Sequence, residues 1–390
     1  MSIQSIGIAG AGIIGRLVAL ELRQQGHQVT LFEQDPIDSL GSRCQSAATN
    51  QSLPLCTSSA CSYSAAGMLT PYSEADTAEP LVFELGLRSL GLWPDIVKQM
   101  GRQVFYRTGG TLVVAHSQDR ADFERFYNLI QANISPTADL VASIENRELS
   151  RLEPELGSRF SRALHMPKEA WLCACCTLPA LYQTLIEQEV TWYSSTAVMA
   201  VKPNEIIVQA SAGLRSHGFD WVIDSRGLGA IKQQPNLRGV RGEILWLRAP
   251  QVKINRLLRL MHPRYRIYIV PRREDLYLIG ATQIESEDRG PISVRSNLEL
   301  LSAAYSVHPG FGEAQIVFSD VNLRPALPNN QPQVIFEPGL LSVNGLFRHG
   351  YLLSPAIAQE VSRMICADGD YQSPYQDLFH CHSIKNEAIS

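Results

Sequence analysis

The chain opens on a short apolar run, Ser5-Ile6-Gly7-Ile8-Ala9, closed by Gly10. A run of that length bounded by glycine reads as a buried strand. From Ile13 to Gln24 the spacing becomes helical, with Leu17, Leu20 and Glu21 spread around the turn. Gly26 stops that helix, and Gln28-Val29-Thr30-Leu31-Phe32 makes a second strand running into Glu33. Strand, helix and strand together take about 30 residues, the size of half a dinucleotide-binding unit.

Farther along, the pattern predicts helices over 83–100, 119–132, 178–188, 293–307 and 355–365, with a polar helix start near Leu149 within 145–155. Strands are expected at 110–115, 191–193, 197–202, 205–209, 221–224, 243–247, 266–270, 276–280, 316–319 and 341–343. Residues 39–63 break the pattern: they are Ser, Ala, Thr, Asn, Gln and Cys with almost no large apolar side chain, and read as an inserted loop. The polar stretch 371–390 reads as a loose tail. There is no internal repeat.

A βαβ start followed by β-rich blocks points to an α/β (α+β) protein, a Rossmann nucleotide domain interleaved with an antiparallel-sheet substrate domain. The expected division assigns 1–80, 145–230 and 318–370 to the nucleotide domain and 81–144 and 231–317 to the substrate domain. A chain of 390 residues is too long for one ordinary core, which agrees.

Composition narrows the function class. The chain is 45% hydrophobic and 18% charged with a net charge of -4, so nothing electrostatic favours nucleic acid or an anionic membrane. No apolar run approaches the roughly 18–20 residues that cross a bilayer. The apolar stretch 6–14 has no basic segment before it and carries glycines with another purpose, so it is not read as a signal peptide. The eight cysteines, Cys44, Cys56, Cys61, Cys173, Cys175, Cys176, Cys366 and Cys381, read as buried reduced thiols in a cytoplasmic protein. Cys173-Ala174-Cys175-Cys176 lacks a second ligand pair, and no metal site is expected.

The strongest motif is Gly10-Ala11-Gly12-Ile13-Ile14-Gly15, placed after a strand and at the start of a helix. Gly10 allows the tight turn, Gly12 lets backbone approach a pyrophosphate, and Gly15 lets helix and strand pack closely. The phosphates then meet free N–H groups at the helix N-terminus. Glu33 ends the next strand, about 20 residues on, where it can accept from a ribose diol. The fingerprint leaves NAD and FAD open; its position at the start of the chain favours FAD by fold analogy. Far downstream, residues 344–355 form a strand, a glycine-bearing loop and a helix start, suited to lie against a flavin edge.

Ser64-Ala65-Ala66-Gly67-Met68-Leu69-Thr70-Pro71, Val240-Arg241-Gly242-Glu243, Tyr268-Ile269-Val270-Pro271-Arg272, Leu323-Arg324-Pro325 and Phe347-Arg348-His349-Gly350 follow in that order. With the N-terminal fingerprint, this series resembles the FAD-dependent glycine oxidases of thiamine biosynthesis, in the D-amino-acid-oxidase superfamily. The resemblance runs from about Ile6 to Ile365. It implies a glutathione-reductase-like FAD-binding fold and oxidation of glycine, with sarcosine and small D-amino acids as further substrates, to the imine. It also implies oxygen as acceptor with release of hydrogen peroxide, a supply of iminoglycine for thiazole assembly, and a homo-oligomer, often a tetramer.

On the same grounds Ile13, Ile14, Glu33, Gln34, Ala66, Gly67, Met68 and Val198 would contact FAD. The loop Leu346, Phe347, Arg348, His349, Gly350, Tyr351 and Leu352 would line the flavin. Arg324 and Arg348 match the family's substrate-carboxylate arginines and Tyr268 its active-site tyrosine, with Met68 beside the substrate. Leu346 stands where a histidine is common.

The chemistry fits these residue types. A flavin can accept hydride from the α-carbon of an amino acid whose amine is neutral, so the protein needs chiefly to hold the carboxylate. A guanidinium does so through two parallel charge-assisted bonds, and a tyrosine adds a bond without a further charge. The competing reading of Arg324 and Arg348 is surface ion pairing, and that of Tyr268 a half-buried sheet tyrosine. His262 and His308 sit in no recognisable constellation and read as structural. A dehydrogenase of the same fold that passes electrons to a quinone remains the alternative.

Overall fold

The computed structural model describes residues 2–36, 59–101, 104–134, 137, 139–262 and 267–381. Of the expected insertion at 39–63, residues 39–58 lie outside these, as do Cys44 and Cys56.

Two sheets organise the chain. The first has seven strands in the order Phe379–Cys381, Gln333–Glu337, Leu340–Asn344, Trp221–Asp224, Ser5–Ala9, Gln28–Phe32, Thr191–Tyr193. Its centre is parallel, with Ile6 opposite both Val29 and Trp221. Buried parallel strands need apolar residues on both faces, and Ser5–Ala9 shows the division. Ile6 and Ile8 belong to the core shared with helices Ile13–Gln24, Ala174–Glu187 and Gly350–Cys366. Ala9 joins Phe32, Val201, Ile206, Val208 and Val222 on the opposite face. That face is covered by the antiparallel strands Val198–Lys202, Glu205–Ala210 and Gly213–Gly218.

The second sheet has eight strands in the order Gln315–Ala326, Arg238–Arg248, Leu276–Gly280, Ile267–Pro271, Leu257–Met261, Thr111–Ala115, Arg162–Met166, Ala142–Glu145. All neighbours are antiparallel except Leu257–Met261 beside Thr111–Ala115. Period two decides what each face carries. Leu245, Leu247, Ile267, Ile269, Tyr277 and Ile279 pack with Leu300, Ala304 and Val307 of helix Val294–Val307. Ile244, Trp246, Tyr268, Val270 and Leu278 point the other way, toward Ala66 and Met68. The alternation that buries the first set places Tyr268 on the face that meets Ala66 and Met68.

Several expectations move. The closing helix begins at Gly350, five residues before the expected start at Pro355. A proline in the helix body looks like a start from sequence, and here it lies within the second turn. The strand expected at 316–319 runs on to Ala326, because Arg238–Arg248 pairs with it along its length. The tail at 371–390 is not loose as far as it is described. Tyr371 and Ser373 donate to Glu360 at 3.0 and 2.6 Å, and Phe379–Cys381 pairs with Gln333–Glu337. The described cysteines are unbridged; Cys173 and Cys175 are buried, but Cys381 is exposed.

Candidate active site

The sharp turn from the first strand into the first helix makes a cradle that side chains cannot occupy. Gly10 has φ +97°, and a Cβ there would lie 2.7 Å from the Ser225 carbonyl oxygen. A Cβ on Gly15 would lie 2.0 Å from the Gly10 carbonyl oxygen. Both positions require glycine, one for its dihedral and one for contact. Gly12 stands at the N-cap without a side chain to bond the first-turn N–H groups, which leaves an anion site of the kind a pyrophosphate fills. Polar groups of the chain already gather there: the Ile13 N–H donates to Ser62 Oγ at 3.1 Å and the Ala11 N–H to Glu33 at 2.9 Å. Burial raises the Glu33 carboxyl above its ordinary value, against the pull of the Asp35 and Ala11 N–H groups and Arg16. Gln34 is exposed and donates to Ser59, and Val198 begins its strand beside Arg226, which donates to the Val198 carbonyl at 3.4 Å. Cradle and acidic strand end fit a dinucleotide.

A cavity of about 810 Å³ runs from Ile13 and Ser62, at the edge of this cradle, to the second sheet. Ile13 lines its near end; Ala66, Gly67 and Met68 form one wall, and Phe347 to Leu352 another. Tyr268 and Arg324, from the second sheet, face the same space. Residues separated by more than three hundred positions therefore meet. Leu346 is the exception within its loop: its side chain packs in the core behind the cavity. The buried Arg272 guanidinium fixes the wall, donating to the Ala66 carbonyl at 2.6 Å and lying over Phe105 and Trp246.

Glu74 was not visible as a site residue in the sequence, where it sits among small polar neighbours in a turn-rich segment. It is buried and lines the cavity. Arg348 pairs with Glu74 at 2.6 Å and donates to Thr77 Oγ1 at 2.5 Å, and the Tyr268 hydroxyl donates to the other Glu74 oxygen. Burial works to raise the Glu74 carboxyl, but Arg348, His349, Arg259 and the Tyr268 bond prevail and bring it down to about 2. Glu74 is an anion throughout the neutral range. Burial holds the Tyr268 phenol well above its ordinary value, with Glu74 adding to the rise.

The segment carrying Glu74 is anchored at both ends. Glu169 accepts from the Ser73 N–H and hydroxyl at 2.8 and 2.7 Å, and burial pushes its carboxyl up to about 7. Arg259 donates to the Ser73 carbonyl and pairs with Asp76 at 2.7 Å.

Arg324 is placed differently. Its guanidinium donates to the Thr282 carbonyl at 3.0 Å and the Arg241 carbonyl at 3.4 Å. No carboxylate pairs with it among the described residues. Burial lowers its pKa to about 10, and the nearby Arg348 charge pushes the same way. A half-buried cation held by two carbonyls beside a cavity is able to receive an anion. Of the two arginines, Arg324 is open and Arg348 already has a partner. His308 is instead on the far side, 3.3 Å from Glu155.

Comparison with known proteins agrees with this architecture. The family model described as FAD dependent oxidoreductase, DAO, matches residues 5–364. A protein of Rhizobium etli assigned as a thiamine biosynthesis oxidoreductase, ThiO, is 36% identical over 93% of this chain and 96% of its own. A glycine oxidase of Geobacillus kaustophilus is 26% identical, covering 92% of each chain. The crystal structure of glycine oxidase from Geobacillus kaustophilus superposes with a TM-score of 0.76 at 24% identity, covering 94% of this chain and 95% of that one, which shows a common fold.

Proposed function

The chain belongs to the DAO family of FAD-dependent oxidoreductases, and from that premise we propose that it oxidises glycine to the imine. Sarcosine and small D-amino acids are its further substrates, oxygen is its electron acceptor, and its product supplies thiazole formation in thiamine biosynthesis. The names of the relatives support the substrate and the pathway. The observation that carries the reading is Arg324, a half-buried cation with no carboxylate partner among the described residues, facing a cavity that reaches Ile13 at the edge of the dinucleotide cradle.

FAD, when bound, supplies the two-electron acceptor for the amine's α-C–H bond. The chain supplies position. The Gly10–Gly15 turn would hold the pyrophosphate, Glu33 the ribose, and residues 66–68 with 347–352 the flavin. Arg324 takes the substrate carboxylate through two parallel bonds, which fixes the α-carbon and excludes water from the ion pair. Tyr268 acts as a neutral donor. Its phenol is held protonated and its proton is committed to Glu74, so it is unsuited to serve as a base.

The test is product balance. Purified FAD-loaded protein given glycine in air should consume one oxygen per glycine and release equal amounts of glyoxylate, ammonia and hydrogen peroxide. Turnover with a quinone but no peroxide in air would replace the oxidase reading with the dehydrogenase one. No turnover of glycine, sarcosine or D-alanine with any acceptor would end both.

A further inference from the structure

Arg348 and Tyr268 present donors to one point, which is the equipment of a carboxylate-binding site, while Thr77 accepts from Arg348 and donates to the Glu74 main-chain carbonyl. The carboxylate they hold is the chain's own. Glu74 lies 2.6 Å from Arg348 and accepts from Tyr268. We propose that these donors form a second carboxylate subsite, that Glu74 fills it, and that this filling limits the substrate to amines with a single carboxylate. The inference rests on the cavity being the place of amine oxidation.

Charge makes the restriction strong. The charged side chains at this corner of the cavity are the half-buried Arg324 and Arg348 and the buried Glu74, two cations and one anion, with the buried His349 imidazole beside them. Arg259 and Asp76, next to them, cancel as an ion pair. Glu79, Arg295 and Glu299 stand farther out on the lining, where water reaches them and screens them. One substrate carboxylate at Arg324 therefore balances this corner of the cavity, since Arg348 is already paired with Glu74. A second carboxylate would enter beside Glu74 with Arg348 and Tyr268 already engaged, and a buried anion against another anion is strongly disfavoured. Rejection by an occupied site is a repulsive element of the kind that specificity often needs.

Removing the Glu74 charge should open the subsite. Glu74→Gln keeps the shape and an acceptor for the Tyr268 hydroxyl while releasing Arg348. Iminodiacetate, which is glycine with a second carboxymethyl group on nitrogen, is the probe. The FAD-loaded parent should favour glycine over iminodiacetate in kcat/KM. In Glu74→Gln the ratio of iminodiacetate to glycine should rise at least about tenfold, and in Glu74→Gln/Arg348→Met it should fall back. A ratio unchanged within about threefold in an FAD-replete Glu74→Gln protein overturns the proposal, as does a gain that survives loss of Arg348.

The parent alone provides a second arm that needs neither turnover nor a folded variant. Acetate and malonate are titrated against the flavin spectrum, and acetate should bind at least about tenfold more tightly. Equal binding overturns the subsite. Failure of glycine turnover with acetate still preferred would count against the proposed reaction and leave the filled subsite standing.

Discussion

Arg324 and Glu169 show how burial gives a single side chain measurable consequences. Arg324→Ala removes the open cation, and losing one partner of a buried ion pair costs about 3–5 kcal/mol. Glycine kcat/KM should fall by roughly a hundred- to several-thousandfold with FAD content unchanged. A fall of less than about threefold would take the carboxylate away from Arg324. Tyr268→Phe should cost less, about ten- to a hundredfold, since a single hydrogen bond to the Glu74 carboxylate is lost, worth about 1.5–3 kcal/mol.

Glu169 sets a pH dependence. Its pKa is raised from 4.5 to about 7 in the fold, so the folded state holds its proton more tightly than the unfolded chain. Its contribution to stability is full below 4.5 and is lost as pH rises through about 7. Glu169→Gln keeps an acceptor for Ser73 and cannot ionise. The melting temperature of the variant relative to the parent should therefore climb between pH 5 and pH 8, as differential scanning fluorimetry would show; a flat difference would remove the burial argument. Residues of this kind were legible in unequal degree. Tyr268 and Arg324 announced themselves through neighbouring motif residues. Glu74 and Glu169 did not, because burial of a carboxylate is decided by distant partners, Arg348 and Tyr268 for one and Ser73 for the other.

At the scale of elements, the opening βαβ unit matched its pattern to the residue, since two strands, a helix and their glycine turns are locally specified. The second sheet was read only in fragments. Its short strands Arg162–Met166 and Leu257–Met261 exist through pairing with Thr111–Ala115 on either side, and pairing across the chain leaves no periodic mark in five residues. The element most exposed to a single change is the first helix. Gly15→Ala would drive a methyl into the Gly10 carbonyl at 2.0 Å and push helix from strand. FAD affinity should drop by roughly a hundredfold or more while the second sheet survives, giving folded but colourless protein. A yellow Gly15→Ala protein with parental FAD content would show that the cradle tolerates a side chain. The edge strand offers a milder case: ending the chain at Asp370 removes Phe379–Cys381 and the Tyr371 and Ser373 donors to buried Glu360. The melting temperature should fall by several degrees, in line with lost bonds to a buried charge.

The whole molecule brings a nucleotide cradle at one end of a cavity to an anion receptor at the other, each contributed by a different sheet. The long-range order of motifs makes this architecture readable in the sequence, because a family's motifs imply the fold that joins them. What they could not convey was the balance of charge inside the cavity, which leaves Arg324 open and Arg348 occupied. The most direct test of that account is an anaerobic absorbance titration of the FAD-loaded protein with glycine, run beside Arg324→Ala. The parent's oxidised flavin band should bleach fully, and Arg324→Ala should keep its band at glycine concentrations that saturate the parent. It should yield only at concentrations about a hundredfold higher or more. An FAD-replete parent that glycine, sarcosine and D-alanine all fail to bleach would contradict amine oxidation, and equal bleaching of the two proteins would contradict the role of Arg324.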